Sequence, residues 1–527
     1  MSSQKWDYQV VVEEISPSVE DSERLLPSPS TSSQSSTSTT NFVKNDDDLD
    51  LPSGTIYWRE TKLLLKASLP LNLSNLLQFS VNLTTAYVAG GDGRECLAAL
   101  SLGTTIANIT CYALFEGLVG SLDTLGSQAF GSKKYHLLGI QLQRVLVFAL
   151  LVFIPIAVSW LFSPRIFDSF VEDKVVANLA GRYLQVLTLA IPGNVLFEAG
   201  KRFVQVQGYE LVPLHITLVT APAHFGLSYV FVRNLGWGLE GAALATVIFN
   251  MLNPLLLVIY ILYLIPQCLV CWPGLTRRAL QDWGHVIRLS VSGMVQMWSE
   301  WLAIDMLAIC ASYISTPFLA AHTIMLTTMT VVYHIPQPMA ISAGQRIGEL
   351  VGLGRVRRIS KVLQTHLAMA ALAGLFNFAL VLSMKDLIPK IFSADPDVAR
   401  IAHDALLVVS FGVMLDAMLA MTAGILRGIG RQHIGCWVNI LVYYPFAIPL
   451  SLFLVWGPAQ LVNTGLWVGP ISGFIFIVSI EIGYIWRVDW GQVVRECRVR
   501  NGDLQDDGDD ERESIELAVR FEKAYEL

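Results

Sequence analysis

The sequence predicts an all-α membrane protein, with about twelve transmembrane helices in two pseudo-symmetric six-helix lobes. Three observations carry this. Residues 432–480 contain no Asp, Glu, Lys or Arg, and that run is too long for one helix across a hydrocarbon layer of about 30 Å, which takes about 20 residues. It divides into two spans at the turn around Gly457-Pro458. Charged residues make up 15% of the chain and apolar ones 53%, with a mean hydropathy of +0.51, whereas an ordinary soluble domain is about 25% charged. Finally, the chain matches itself when shifted by 222 residues: Lys66-Ala-Ser68 falls on Arg288-Leu-Ser290, Leu97-Ala-Ala99 on Leu319-Ala-Ala321, and Gly208 on Gly430. With a small deletion, Gln128-x-x-Gly131 falls on Gln345-x-x-Gly348.

Taken in order, residues 1–58 form a polar, low-complexity tail. Ser30 to Thr40 is nearly all Ser and Thr, and Asp46, Asp47, Asp48 and Asp50 follow. Such a segment buries too little apolar surface to offset its ordering entropy, so disorder is expected. Asp21-Ser-Glu-Arg-Leu25-Leu26 has the form of an acidic dileucine sorting signal. The first lobe, residues 59–275, holds spans at 67–89, 97–120, 137–162, 178–198, 211–232 and 241–264. The charged stretch Thr276–Trp283 links it to the second lobe, residues 276–487, with spans at 286–312, 318–343, 362–384, 401–425, 435–456 and 465–486. Residues 488–527 are a second tail with an acidic run from Asp503 to Glu513.

An even number of spans puts both termini on one side. Lys and Arg are enriched in cytoplasmic loops of membrane proteins. With the termini inside, the inner segments hold twenty such residues, Lys133, Lys134, Arg346, Arg355, Arg358, Arg427 and Arg431 among them, against seven outside. Six helices repeated in one orientation make a parallel repeat about an axis along the membrane normal. Two such lobes with a cleft between them suit alternating access. The net charge of −7 argues against nucleic acid as a partner. Seven scattered cysteines imply no disulfide framework, and Cys268-x-x-Cys271, with no second pair and no nearby His, reads as loop rather than metal site.

Function should lie in the few ionisable groups inside the spans, because a carboxylate in hydrocarbon is costly and marks a substrate or proton path. Glu300 and Asp305 stand in the seventh span and Asp416 in the tenth. Trp298, Trp301 and Asp305 share one helix face, with Glu300 on an adjacent one. Acids supply charge and indole faces supply cation–π attraction of roughly 0.5–2 kcal/mol, so this helix predicts a cation site. Asp416 sits among Met and Leu, where burial favours the neutral acid. A carboxyl that binds either a proton or a cationic ligand is a minimal antiport device. In the first span Gln78 occupies the position equivalent to Glu300, and Asn72, Asn75 and Asn82 accompany it without an acid. Glu198 reads as an ion-pair partner of Lys201 and Arg202, and Asp123 as a cap for a turn at Gly126–Gly131. Pro336 and Pro338 are candidates for a gating bend. No nucleotide loop, zinc signature or nucleophile elbow is present, so an enzyme is not expected.

Leu122-Asp-Thr-Leu-Gly-Ser-Gln-Ala-Phe-Gly131 followed by Leu142-Gln-Arg144 resembles the multidrug and toxic compound extrusion family, eukaryotic type. Arg202-Phe-Val-Gln-Val-Gln-Gly208, Gly238-x-x-Gly-Ala-Ala243 and Leu426-Arg-Gly-Ile-Gly430 fit the same pattern, over about residues 60–487. The resemblance implies a secondary antiporter exporting organic cations or toxic compounds against protons or sodium by alternating access, without a cofactor. It also implies coupling roles for Glu300 and Asp305 in the seventh helix and Asp416 in the tenth. Two departures stand out: Thr327 where animal members often carry an eighth-helix Glu, and only amides where other members can have a first-helix Asp. The alternative is a flippase for lipid or lipid-linked oligosaccharide on a related two-lobe fold, which would want a basic cleft. Expected partners are a cationic small molecule and membrane lipid, with the chain acting as a monomer. The dileucine favours a vacuole or endosome over the plasma membrane.

Overall fold

The computed structural model describes residues 53–502 apart from 91–92, 394 and 459. The dileucine, the Ser/Thr tract and the acidic run 503–513 lie outside the described residues.

Twelve long helices follow one another as predicted. They are α1 (Ser53–Gly90), α2 (Arg94–Gly131), α3 (Tyr135–Leu161), α4 (Lys174–Val206), α5 (Leu211–Asn234) and α6 (Gly238–Tyr263), then α7 (Gly284–Ile314), α8 (Thr316–Gly352), α9 (Val356–Ser383), α10 (Pro396–Gly428), α11 (Gln432–Trp456) and α12 (Val462–Arg487). By length and composition ten of the described helices are apolar enough to cross a membrane. The other two are α1 and α7, which carry the amides Asn72, Asn75 and Gln78 and the acids Glu300 and Asp305. Their polarity marks where function was expected. At about 1.5 Å per residue, the 38 residues of α1 nearly double the ~30 Å hydrocarbon thickness, so its first turns, with Glu60, lie beyond the span that begins near residue 67.

The duplication is visible in backbone detail. Asp173 caps α4 by accepting from the Val175 and Val176 amides, and Asp395 caps α10 by accepting from the Asp397 amide; the two caps are 222 residues apart (395 − 173). Gly208 and Gly430, the same distance apart, both have positive φ, 85° and 77°. A short helix follows the third helix of each half, at Ser163–Phe170 and at Ile388–Phe392. One expected correspondence shifts. Lys134 and Arg355, which cap α3 and α9, have matching torsions of −90°/66° and −88°/66°, so Gly131 corresponds to Gly352 (an offset of 221) and Gln128 to Glu349. The likeness of Gln128-x-x-Gly131 to Gln345-x-x-Gly348 was coincidence of composition.

Each half has its own apolar core. One cluster runs from Ala89 to Leu289 through α2–α6 and the start of α7, and separate clusters join α8–α12. The halves meet reciprocally about the pseudo-twofold: a Cβ at Gly131 would strike the Glu349 backbone, and one at Gly352 the Gln128 backbone. Such exchange of equivalent contacts is the signature of a twofold interface. Ala340, Gly344, Gly348 and Gly352, four residues apart, form the small stripe on α8 that allows this approach. Gly344 lies on Gly424 of α10, and Gly348 on Ser127 of α2.

Two further features differ from expectation. Gly126–Gly131 is the last part of a helix rather than a turn. Within the segment read as a tail, Trp490–Asn501 is a helix, α13, capped by Asp489. Its Val493, Val494 and Cys497 are buried with Leu350, Val351 and Ile359 of the second half. At its far end Asn501 meets the first half, receiving the Lys134 ammonium on its carbonyl (2.6 Å) and donating to Ser132 Oγ (2.9 Å). The linker at Thr276–Trp283 is docked on α3: Gln143 donates to the Gly274 carbonyl (2.7 Å) and accepts from the Thr276 amide (3.2 Å), and Arg144 lies 3.6 Å from Asp282.

Candidate functional site

The central feature is a cavity where α7 and α10 pass the middle of α2. On α7, Gly293, Gln296, Met297 and Glu300 face it, the i, i+3, i+4, i+7 spacing of one helix face. From α10 come Asp416, Leu419, Ala420, Ala423 and Arg427. Tyr333 of α8, Asn439 of α11 and Gly117 of α2 complete the wall. The cavity measures about 20 Å³, enough for a water, which needs ~10–15 Å³.

Close backbone packing positions these groups. Gly117 and Gly293 are in mutual contact, so that a Cβ on either would meet the other's carbonyl. This brings α2 of the first half onto α7 of the second. Tyr444 on α11 donates to the Ser299 carbonyl at 3.1 Å, tying α11 to α7 beside Glu300. The helix of α8 is interrupted at His334-Ile335 and resumes at Pro336; Pro fits the first helical position because its missing N–H has no partner there. Tyr333, the last residue before this point, lines the cavity.

Glu300 and Asp416 thus share one chamber, although 116 residues separate them (416 − 300). Among the described residues no ion pair or hydrogen bond reaches either carboxylate. Arg427 is the cation within electrostatic reach of Glu300, and its Nε is buried without a hydrogen-bond partner. The other predicted residues stand elsewhere. Trp298 is 39% exposed on the outer surface, and neither Trp301 nor Asp305 lines the cavity. The indoles and acids of α7 are therefore not gathered into one box, because the inward face of α7 is the one through Gln296 and Glu300. Gln78 on α1 is also outside the chamber, with Nε2 buried and unpartnered.

The sequence reading missed three things. Arg427 was counted as a loop base because it lies near the end of α10. Tyr333 and Asn439 carried no signal, being ordinary residues in a membrane helix. Glu481, one residue past the charge-free run, is wholly buried on α12 and takes the Thr422 hydroxyl.

Between this chamber and the Lys/Arg-rich end runs a belt of polar links joining the halves. Gln337 donates to Glu116 (2.6 Å). Asp123, expected as a cap, is instead buried in an ion pair with Arg202 and accepts from Gln345 at 3.0 Å. Glu198 pairs with Lys201 (2.5 Å), as foreseen. Gln128 donates to the Gly428 carbonyl (2.8 Å), and Thr124 to that of Arg427. At the end of the belt Glu60 takes Arg346 (3.0 Å) and Arg358 (2.7 Å), both from the second half. Burial raises the Glu60 carboxyl, but the two guanidiniums outweigh it and hold the group at about 2.

The family model MatE matches this chain twice, over residues 70–230 and 292–453. The chain belongs to the MatE family. The two MatE matches begin 222 residues apart (292 − 70), the offset of the internal repeat. An uncharacterized transporter of Schizosaccharomyces pombe is 33% identical over 446 residues, covering 84% of this chain and 83% of the relative. Multidrug and toxin extrusion protein 1 of Xenopus tropicalis is 30% identical, covering 84% and 77%. Among solved structures, the eukaryotic MATE transporter AtDTX14 superposes with a TM-score of 0.80 at 24% identity, over 85% of this chain and 100% of that one. This MatE chain is therefore a multi-pass membrane transporter, not an enzyme, in a family that needs no cofactor.

Proposed function

We propose that this MatE protein is a cation-driven antiporter that exports organic cations or related toxic compounds, with protons as the coupling ion. The supporting observation is the shared chamber: two carboxylates from α7 and α10, without a bonded counter-charge, at the junction of the two halves. Such a pair can be neutralised by protons or by a cation, and each excludes the other. With the termini in the cytoplasm, as the twenty-to-seven distribution of Lys and Arg favours, the belt from Glu116 to Glu60 lies on the cytoplasmic side of the chamber, and access in this conformation is expected from the opposite face. In that state a proton from outside loads Glu300 or Asp416 and displaces the cargo. Release of the proton inward, once the belt has parted, restores the negative site for the next cargo.

Extrusion of toxins as the physiological task agrees with the printed name of the Xenopus relative. The test uses purified protein in vesicles, with ethidium as a permanently charged fluorescent probe and an imposed pH gradient, with and without sodium. Gradient-driven accumulation that needs no sodium and is lost in both Glu300→Gln and Asp416→Asn is expected. Accumulation in both variants equal to that of the parent protein, with the same proton dependence, would overturn the reading.

A further inference from the structure

Another buried carboxyl, one with no ion pair among the described residues, lies outside the chamber wall and has no place in the scheme above. Glu481 of α12 is 0% exposed. Its Oε2 meets the hydroxyl of Thr422 on α10, and its Oε1 is buried with no hydrogen-bond partner. No Lys or Arg forms an ion pair with it among the described residues. A fully buried, unpaired carboxylate is among the costliest groups a membrane helix can carry, so a neutral packing role would have been met by Gln.

The partner is built for two protonation states. Thr422 Oγ1 lies within reach of both Glu481 Oε2 and the Leu419 carbonyl (3.1 Å). A hydroxyl has one proton to donate and lone pairs to accept. With Glu481 ionised, Thr422 donates to the carboxylate. With Glu481 protonated, the acid donates to Thr422, whose own proton turns to the Leu419 carbonyl. Neither state leaves the hydroxyl unsatisfied.

The charged and titratable groups facing Glu481 are Glu300 of α7, Arg427 of α10 and Tyr443 of α11. Tyr443 is 2% exposed with an unpartnered hydroxyl, and feels Glu300 and Asp416 as well as Glu481. Leu419, whose carbonyl accepts the hydrogen bond from Thr422, itself lines the chamber.

We propose that Glu481 is a third proton-carrying residue of the transport cycle, with Thr422 as its switchable hydrogen-bond partner. It takes one proton from water and returns it to water, and its charge biases the protonation of Glu300. This rests on the antiport reading above.

Two measurements test it on the full chain. In the infrared, the C=O stretch of protonated carboxyls is followed between about pH 5 and 9. A titrating component absent from Glu481→Gln, and displaced along the pH axis in Glu300→Gln, is expected. In vesicles with ethidium, E481Q should move the midpoint of the pH profile by about half a unit or more, as loss of a nearby like charge does, and Glu481→Asp should restore it in part. Infrared titrations of E481Q and parent that coincide, or an unmoved pH profile, would overturn the proposal. A parent protein that ignores the pH gradient would instead sink the antiport reading itself, and with it the carrier role.

Discussion

Gln337 donates a 2.6 Å hydrogen bond to Glu116, and the two occupy equivalent positions of the repeat (337 − 116 is 221, the offset that pairs Lys134 with Arg355). A residue of α2 is thus held by its own counterpart from α8, at mid-bundle, where the halves must part for the far side to open.

Gln337→Glu would place two carboxylates at that distance. They can coexist only by sharing a proton. The variant should unfold at lower temperature than the parent at alkaline pH and regain most of the difference as the pH falls. A thermal-shift series across pH checks this; a constant deficit would disprove the contact.

Asp123 and Arg202 form a buried pair, with side chains 1% and 4% exposed. Removing one partner strands the other charge, at a cost of about 3–5 kcal/mol. Asp123→Ala should therefore fold poorly, and Asp123→Ala combined with Arg202→Leu should recover much of the loss. Denaturation in detergent gives the comparison.

Glu60 sits at about 2 against an ordinary 4.5. A carboxyl depressed by folding stabilises above its unfolded value, and that contribution fades only as the pH drops through the folded one. The Glu60–Arg346–Arg358 contact therefore contributes equally from about pH 5 to 8, and any pH dependence of transport in that window arises elsewhere. Glu60→Gln should raise labelling of a cysteine placed at Gln128 from the Lys/Arg-rich side, by a pH-independent factor.

Gly117 and Gly293 leave no room for a methyl group, and what they would strike is backbone, which cannot turn aside. Gly117→Ala should weaken closure by about 1–3 kcal/mol, the usual range for overpacking. Slower transport with normal protein yield is the expected result, and parental rates would show that the halves do not pack this tightly.

Periodicity and charge patterning made the helices legible, and the 222-residue offset made the halves legible, because both are set by the lipid solvent and by chain duplication. Glu300 and Asp416 were legible for the same reason: an acid in an apolar span is conspicuous. What the pattern could not reveal was which way each helix turns. Trp298, Trp301 and Asp305 do share a face of α7, yet the face with Gln296 and Glu300 is the one that packs inward, a choice made by Gly117 against Gly293. Arg427 was hidden by its place near a helix end, and α13 by its polarity, since its burial depends on three residues, Val493, Val494 and Cys497.

The small size of the chamber has an ordering consequence. Some 20 Å³ admits a water with its proton, and in this conformation leaves no room for a molecule of several heavy atoms. With the chamber as it stands, only water and the driving ion fit beside the two acids, so this is a conformation the passenger has already left, and the walls must spread before the next one is admitted.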